Sequence, residues 1–337
     1  MSIPWKNLWK NTKTPLFLAP MEDVSDTAFR LICKEFGVDV LISEFASSEA
    51  LIRDVQQTQK KLVFSEKERP FGIQLFGNKA DAMCEAARIA ESYNPDFIDI
   101  NWGCPVKKIA GKGSGSGMLQ NIPLLIDITK QVVNAVNIPV TVKTRLGWDE
   151  KNKPIVELAE QLQDIGIQAI SIHGRTRSMM YKGEADWTLI GKIKENPRIT
   201  IPIIGNGDIT TPEEALYAKQ RYHVDGIMIG RGAIGNPWIF TAAKSLFEKN
   251  GLPYPTPSLT ERLTICKRHF ELTIENKGEH YGILNMRKHY KNYFRELPNF
   301  KETRIKLLTS NSLDEIRDMF QYIEENFSRK SHEFSRN

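Results

Sequence analysis

Short apolar segments alternate with amphipathic segments along the first 245 residues. Eight apolar segments of five to eight residues are rich in Val, Ile, Leu and Phe and are bounded by turn residues, which predicts buried strands. They lie at residues 16–21, 38–45, 71–77, 97–101, 140–145, 169–175, 201–208 and 225–232. Most of the stretches between them have helical periodicity and begin with typical helix-starting residues. This alternation predicts an α/β protein with a closed (β/α)8 TIM barrel rather than an open sheet.

The pattern changes after the last of these segments. Residues 248–261, "EKNGLPYPTPSLTE", are rich in Gly and Pro and are typical of a linker. Helical periodicity follows at residues 260–275, 281–295 and 313–327, with no strand pattern between. The sequence therefore predicts two domains, a catalytic barrel of residues 1–245 and a C-terminal all-helical domain of residues 246–337.

Polar residues cluster at the carboxyl end of every predicted strand. They are Met21 with Glu22, Glu44, Gln74, Asn101, Lys143 with Arg145, His173 with Arg175, Asn206 with Asp208, and Arg231. In a barrel these ends meet on one face, which is where barrel enzymes build their active sites. The distribution therefore predicts a functional face rather than a chance arrangement.

Two glycine-containing loops follow the seventh and eighth predicted strands, in "IIGNGDI" and "MIGRGAIGNP". Loops at these two places often bind phosphate in barrels, because glycine lets the backbone N–H groups approach an anion. Gly205, Gly207, Gly230 and Gly232 fit this role, and Arg231 adds positive charge. The alternative is a pair of tight turns without a ligand.

Three strand-end side chains have a functional and a structural interpretation. Lys143 would end a strand inside an apolar barrel mouth, so it needs an anion or an electron-rich ring, or else a structural ion pair. His173 can bind a cofactor edge or a substrate carbonyl, or can be a satisfied core histidine. Gln74 has both a donor and an acceptor, which suits the edge of a flavin or a base but is weak evidence alone.

Cys104 follows the fourth predicted strand in "DINWGCPVKKIAGKGSGSGMLQ". A free cysteine is more often a small buried hydrophobe, and Cys33, Cys84 and Cys266 fit that role within helical patterns. Position on the functional face distinguishes Cys104, and Lys107 and Lys108 lie near it in sequence. We therefore predict a reactive thiol.

Composition and charge indicate the compartment of the protein and the type of partner that it can bind. The four cysteines are widely spaced, which fits a reducing cytoplasm and argues against zinc or a disulfide framework. No apolar run reaches the ~18 residues of a membrane span. The net charge of +5 permits a polyanionic partner, and residues 281–308 hold seven Lys or Arg against two Glu. The basic and aromatic segment "MRKHYKNYFREL" is either a solvated helix face or a contact for RNA phosphates and bases.

Six motifs together resemble the tRNA-dihydrouridine synthases, most closely the bacterial B-type branch. They are "APMEDVSDTAFR", "DINWGCPVKK", "VKTRLGWD", "SIHGRTR", "GNGDI" and "MIGRGAIGNPWIF", in the family's order and spacing. The resemblance covers residues 14–240 strongly and the tail more weakly. It implies an FMN-dependent oxidoreductase with tightly bound FMN, which takes electrons from NAD(P)H and reduces the carbon 5–carbon 6 double bond of D-loop uridine in tRNA.

The resemblance also implies roles for individual residues. Cys104 would be the proton donor, Asn101 and Arg175 would face the substrate, and Arg287 and Lys288 would contact tRNA. FMN would be bound by Pro20, Met21, Glu22, Gln74, Lys143, His173, Asn206, Gly207, Asp208, Gly230 and Arg231. No metal site is expected, and the protein is expected to be cytoplasmic.

Two departures from the family pattern carry expectations of their own. The family usually has a small residue where this chain has Glu22, so a carboxylate beside the flavin could disturb the contact or lower the flavin potential. The glycine-rich stretch "GSGSGMLQ" of residues 113–120 commonly reads closer to "GAGSALL", which predicts a more mobile loop here.

Two rival functions are open at this point. An FMN barrel acting on a free pyrimidine, such as a dihydroorotate or dihydropyrimidine dehydrogenase, explains Cys104 and the glycine loops but not a basic helical tail. A cofactor-free RNA-binding or chaperone protein on a degenerate barrel predicts a colourless protein, but the glycine loops and Lys143 all remain in place here.

Overall fold

Nine parallel strands form one sheet in the computed structural model, which describes residues 7–11, 14–248 and 251–328. They are β1 (Leu16–Leu18), β2 (Leu41–Ile42), β3 (Ala46–Ser47), β4 (Phe71–Phe76), β5 (Phe97–Trp102), β6 (Val140–Arg145), β7 (Ile170–His173), β8 (Ile203–Asn206) and β9 (Gly226–Ile229). The sheet order is β1-β9-β8-β7-β6-β5-β4-β2, with β3 paired to β4. Each strand is bonded in parallel to its neighbour.

The sheet closes on itself between its first two strands. A parallel bridge joins Phe17 to Val40, and the Leu18 N–H donates to the Val40 carbonyl at 3.2 Å. The interior of the barrel contains an apolar cluster that includes Phe17, Phe97 and Met228, together with buried polar side chains such as Asp99 and Thr141. The prediction of a TIM barrel with a helical C-terminal part is confirmed.

One predicted strand, residues 38–45, is divided in the structure. After β2 the Ser43 hydroxyl accepts the Gln74 N–H at 2.9 Å, where a regular ladder would use a backbone carbonyl. The chain then bends and pairs again as β3, beside Leu75 and Phe76. This bend turns Glu44 and Phe45 toward the carboxyl face of the barrel.

The helices of the barrel cover the outside of the sheet. They are α1 (Leu8–Asn11), α2 (Thr27–Glu35), α3 (Ser48–Leu51), α4 (Gln56–Gln59), α5 (Ala80–Ser92), α6 (Lys107–Ala110), α7 (Ile122–Ala135), α8 (Ile155–Asp164), α9 (Thr188–Glu195), α10 (Pro212–Tyr222) and α11 (Trp238–Phe247). Side chains cap several of them: Asp26 accepts the Phe29 N–H, and Thr211 with Glu214 forms a capping box. No helix of the described segments is long and apolar enough to cross a membrane.

Four further helices follow in the C-terminal part: α12 (Leu259–Lys277), α13 (Glu279–Tyr293), α14 (Lys301–Thr309) and α15 (Leu313–Ile323). They enclose an apolar core of their own, which includes Phe270, Tyr290 and Phe320. The boundary at residue 245 stays a prediction. The predicted linker includes residues 249–250, which lie outside the described residues. The same is true of residues 1–6, at the start of the predicted barrel domain, and of residues 329–337, at the end of the predicted helical domain.

The C-terminal helices pack against α2 of the barrel. Asn285 Nδ2 donates to Asp26 Oδ2 at 2.9 Å, and both guanidinium nitrogens of Arg268 donate to Glu35 at 2.6 Å. The Phe29 ring stacks on His269, with the ring centroids 5.4 Å apart. Because α2 follows the loop after β1, these contacts hold the helical part near the carboxyl face.

Candidate active site

A cavity of about 520 Å³ opens at the carboxyl ends of the strands. Its size is typical of pockets that hold a cofactor or a small ligand. The predicted site residues that line it are Pro20, Met21, Glu22, Asn101, Cys104, Lys143, His173, Asn206, Gly207, Asp208, Gly230 and Arg231. Strand ends that are far apart in the sequence therefore meet in one site.

Cys104 lies on a tight turn immediately after β5. Its N–H and that of Gly103 donate to Asn101 Oδ1 at 2.8 and 2.9 Å. The Cys104 carbonyl accepts both the N–H and the hydroxyl of Ser116, at 3.1 and 2.8 Å. Burial raises the pKa of the Cys104 thiol, and this effect outweighs the opposing influence of the backbone at Val106, Arg145 and Lys143. The thiol is therefore neutral at physiological pH and faces the cavity.

The glycine-rich stretch that follows Cys104 differs from the mobile loop that the sequence predicts. Residues 115–120 form a 3₁₀ helix, and residues 115–119 are buried. A Cβ on Gly117 would lie 2.3 Å from the Ala110 carbonyl oxygen, so only glycine allows this approach. The glycines serve close packing behind the Cys104 turn.

Asn101 is held rigidly beside Cys104. Its Nδ2 donates to Gln74 Oε1 at 2.8 Å, and Gln74 Nε2 in turn donates to Asp99 Oδ2 at 2.6 Å. Gln74 is fully buried and does not line the cavity. Since one amide hydrogen of Asn101 is used in its bond to Gln74, Asn101 keeps a second N–H for a ligand in the cavity.

Two cations lie on β6 beneath the cavity. Burial lowers the pKa of Lys143 to about 8, helped by the nearby Arg145. Lys143 Nζ lies 3.5 Å from Asn206 Oδ1 and forms no salt bridge within the described part of the chain. Arg145 instead donates to three carbonyls, those of Gly103, Thr176 and Met180. The structure thus offers Lys143 to an anionic or electron-rich ligand, whereas Arg145 is largely engaged with backbone carbonyls.

A group of three charged side chains, Arg175, Asp208 and Arg231, lies beside the glycine loops after β8 and β9. Arg175 binds both carboxylate oxygens of Asp208, at 2.8 and 2.6 Å, and Arg231 Nη2 donates to Asp208 Oδ1 at 2.9 Å. Two guanidinium groups share one carboxylate, so the group keeps one net positive charge. Gly207 adopts a left-handed φ of +131°, and a Cβ there would lie 2.6 Å from that of Ala185. The loop can therefore bring backbone and positive charge to an anion.

His173 lies between this group and Lys143. Arg175 Nη1 donates to His173 Nε2 at 3.2 Å, which leaves the ring proton on Nδ1 because a guanidinium can only donate. Burial lowers the pKa of His173 well below its ordinary value, and Arg145 and Lys143 lower it further. His173 is a neutral hydrogen-bonding group at physiological pH, not a cation.

Glu22 lies at the rim of the cavity with its charge paired. Lys61 Nζ lies 2.6 Å from Glu22 Oε1 and sits over the Phe45 ring, 5.6 Å from its centroid. Lys61 neutralises the Glu22 carboxylate, which the sequence predicts to lie beside the flavin. The expected effect of this carboxylate on the flavin is therefore reduced, and the sequence alone does not indicate Lys61 as its partner.

Four predicted site residues do not line the cavity. Gln74 lies one layer beneath it, and Arg175 lies behind Asp208. In the tail, Arg287 donates to the Ser310 carbonyl at 2.9 Å and thus holds the end of α14. Lys288 is exposed and donates to the Asp23 carbonyl, next to Glu22 at the rim.

Sequence reasoning missed Tyr181, which lines the cavity and is 52% exposed. Its ring lies between the guanidinium groups of Arg145 and Arg231, with centroid distances of 5.6 and 5.4 Å. Only its place in the loop after "SIHGRTR" could have indicated it. The described residues contain no group of three or more His, Cys, Asp or Glu that could hold a metal ion.

The sequence model of the dihydrouridine synthases matches residues 17–330. The chain belongs to the dihydrouridine synthase family. The tRNA-dihydrouridine synthase B of Pasteurella multocida is 40% identical over 277 residues, which cover 82% of each chain. That of Vibrio cholerae is 39% identical over 284 residues, 84% of this chain and 87% of the relative. The predicted family and its B-type branch are confirmed, and the protein is an enzyme of this family.

Solved structures of low sequence identity share the barrel. Histamine dehydrogenase from Rhizobium sp. 4-9 aligns with a TM-score of 0.53 at 12% identity, over 76% of this chain and 48% of that chain. The 6-hydroxypseudooxynicotine amine oxidase of Pseudomonas geniculata N1 aligns with a TM-score of 0.54 at 13% identity, over 73% and 50%. These likenesses extend to the fold alone.

Proposed function

We propose that this enzyme reduces the carbon 5–carbon 6 double bond of D-loop uridine in tRNA, with FMN as cofactor and NADPH as electron source. One observation carries the proposal: a neutral, buried thiol at Cys104 faces a cavity whose other side combines Lys143 with an anion-binding loop. Family membership and relatives named tRNA-dihydrouridine synthase B support the reaction and the tRNA substrate.

The residues of the cavity fit FMN. Its volume of about 520 Å³ suits a flavin nucleotide, and the net positive charge of Arg175, Asp208 and Arg231 suits a phosphate beside Gly207 and Gly230. Lys143 lacks a salt-bridge partner within the described residues, and the electron-rich edge of a flavin ring would give its ammonium group a hydrogen-bond acceptor. When bound, FMN would supply hydride to carbon 6 of the uracil.

The chain's own residues would complete the reaction. Cys104 would donate its thiol proton to carbon 5, so that a hydride and a proton add across the double bond and a thiolate remains, to be protonated again from solvent. Lys143 and Arg145 would stabilise that thiolate by their charge. The second N–H of Asn101 Nδ2 would hold a uracil carbonyl, and Tyr181 would cover the base at the cavity entrance.

The base must leave the tRNA fold to reach this cavity, as in other enzymes that modify bases inside folded nucleic acids. Lys288 and Lys291 are exposed three residues apart, so they share one side of α13, and the exposed Arg295 follows just past the end of the helix. Lys288 begins this basic side at the cavity rim, next to Asp23. A phosphate backbone following it would lead to the cavity.

Two measurements separate this proposal from its rivals. Purified enzyme should be yellow, and heat should release FMN in a ratio near one per chain, whereas a cofactor-free RNA-binding protein would be colourless. Oxidation of NADPH-reduced enzyme under anaerobic conditions should be fast with transcript tRNA and negligible with free uridine. Equal rates with both substrates would favour a free-pyrimidine reductase.

A further inference from the structure

A continuous chain of buried hydrogen bonds runs under the turn that carries Cys104. Thr141 Oγ1 donates to Asp99 Oδ1 at 2.5 Å, and Gln74 Nε2 donates to Asp99 Oδ2 at 2.6 Å. Asn101 Nδ2 then donates to Gln74 Oε1, and the Cys104 N–H donates to Asn101 Oδ1, both at 2.8 Å. Asp99 is 1% exposed and its partners are buried as well. The chain thus links a buried carboxylate to the backbone of Cys104.

The carboxylate at one end of the chain and the two N–H groups of the turn at the other end require the same orientation of both amides. The oxygen and nitrogen ends of an amide have nearly the same shape, so hydrogen-bond partners set its orientation. An ionised Asp99 can only accept, which directs Gln74 Nε2 toward it and Gln74 Oε1 toward Asn101. Asn101 must then donate through Nδ2, and its Oδ1 faces the two N–H groups of the turn. Reversal of either amide would oppose donor to donor or acceptor to acceptor.

We propose that Asp99 is a positioning residue of the active site: its carboxylate anchors the chain of Gln74 and Asn101 amides from below and thereby holds the Cys104 turn. Its hydrogen-bonding role follows from the geometry, whereas its consequence for uridine reduction rests on the proposed function. Asp99 touches neither the cavity nor the reacting atoms.

The ionisation of Asp99 adds a pH dependence. Burial raises the pKa of Asp99 to about 6, against the opposing influence of its bonds to Gln74 and Thr141 and of Lys143. Lys143 on β6 is the charged group that faces it, while β4 presents the neutral Gln74. Below about pH 6 the carboxyl is protonated and loses its charge, so the bonds that it accepts from Gln74 and Thr141 become weaker. We therefore expect the constraint to be present above this pKa and to weaken as the pH falls through it.

The variant Asp99→Asn tests the positioning role without any assay of activity. An amide at this position carries no charge and has one acceptor oxygen in place of two, so it anchors Gln74 less firmly. Amide hydrogen exchange, followed by mass spectrometry on peptides that span residues 99–106 of the purified enzyme, should become faster by on the order of tenfold at Gly103 and Cys104. Asp96→Asn is the matched control, since Asp96 precedes the same strand at its other end and bonds Phe71 and Arg69. Equal protection in Asp99→Asn and the parent enzyme would overturn the proposal.

Two further measurements keep the proposal open to contradiction if Asp99→Asn folds poorly or loses activity for other reasons. In the parent enzyme, the protection factors of the same two amides should fall between pH 7 and pH 5, and pH-independent protection would overturn the role.

In single-turnover reduction of tRNA, the parent rate should fall below about pH 6, and Asp99→Asn should be roughly tenfold to a hundredfold slower with a flat pH profile. A slow variant that keeps the parent's pH profile would show a merely structural effect. Failure of the parent enzyme to reduce tRNA would instead contradict the proposed function and leave the exchange results standing.

Discussion

At the residue scale, the environment of Cys104 favours a proton donor over a nucleophile. Burial raises the pKa of its thiol although Arg145 and Lys143 act in the opposite direction. Lys107 and Lys108, which are its neighbours in sequence, are exposed on α6 and point to solvent rather than to the cavity. A thiol that stays protonated until the reaction requires its proton is what general acid catalysis needs.

The substitution Cys104→Ala should therefore remove the proton donor and leave the flavin site intact. We expect unchanged FMN content and unchanged reduction by NADPH, with loss of dihydrouridine formation by on the order of 10²-fold or more. Rapid-mixing absorbance measures the first half-reaction and mass spectrometry of the tRNA measures the product. Cys84→Ala, at a buried cysteine on α5, is the control. Full product formation by Cys104→Ala would exclude the proton-donor role.

At the element scale, the segment after β5 is a rigid support. Its glycines let the 3₁₀ helix of residues 115–120 pack against the Cys104 turn, and Ser116 adds two hydrogen bonds to the Cys104 carbonyl. On the other side, Asn101 binds the N–H groups of the same turn. The thiol is thus placed by regular elements and buried bonds rather than by a loose loop.

Two serines of this segment give a matched comparison. Ser116→Ala removes the hydroxyl that donates to the Cys104 carbonyl and should lower the free energy of unfolding by about 1 kcal/mol. Ser114→Ala should change it by less than about 0.5 kcal/mol, since the Ser114 side chain makes no capping bond. Urea unfolding followed by circular dichroism measures both. A larger loss in Ser114→Ala would contradict this description of the support.

The barrel strands were more predictable from the sequence than the C-terminal helices. Apolar strands with polar ends were predictable, because buried parallel strands have a recognisable pattern and their ends share one face. The helix α14 was not predicted, since Ile305, Leu307 and Leu308 do not form a one-sided apolar pattern. Asp99 and Tyr181 were missed as well. Their roles depend on neighbours that are distant in sequence: Gln74 binds Asp99, and Arg231 lies over the Tyr181 ring. Only the tertiary structure brings these residues together.

At the scale of the whole molecule, the C-terminal helices extend the active face of the barrel. Their contacts with α2 include the buried Asn285–Asp26 bond and place α13 beside the loop after β1. The basic side of α13 thus begins at the cavity rim. Arg287 stabilises the connection after α14 through its bond to the Ser310 carbonyl, and its contact with tRNA stays a prediction.

Charge reversal on α13 and just past its end tests the proposed RNA-binding surface. The double variant Lys291→Glu and Arg295→Glu should weaken tRNA binding by at least tenfold at physiological salt and reduce its salt dependence, because fewer counterions are released. Flavin reduction by NADPH should not change. Lys130→Glu with Lys192→Glu, on the outer helices α7 and α9, makes the same change in net charge and should bind tRNA almost normally. Equal weakening by the two pairs would indicate a general charge effect without a defined surface.

The central claim is the reduction of uridine within tRNA, and mass spectrometry of the tRNA tests it most directly. Transcript tRNA incubated with the FMN-loaded enzyme and NADPH should gain about 2 Da, the mass of a hydride and a proton added across one double bond. Nuclease fragments should place this gain in the D-loop. Unmodified tRNA after complete and repeated turnover of NADPH, or a gain outside the D-loop, would contradict the account.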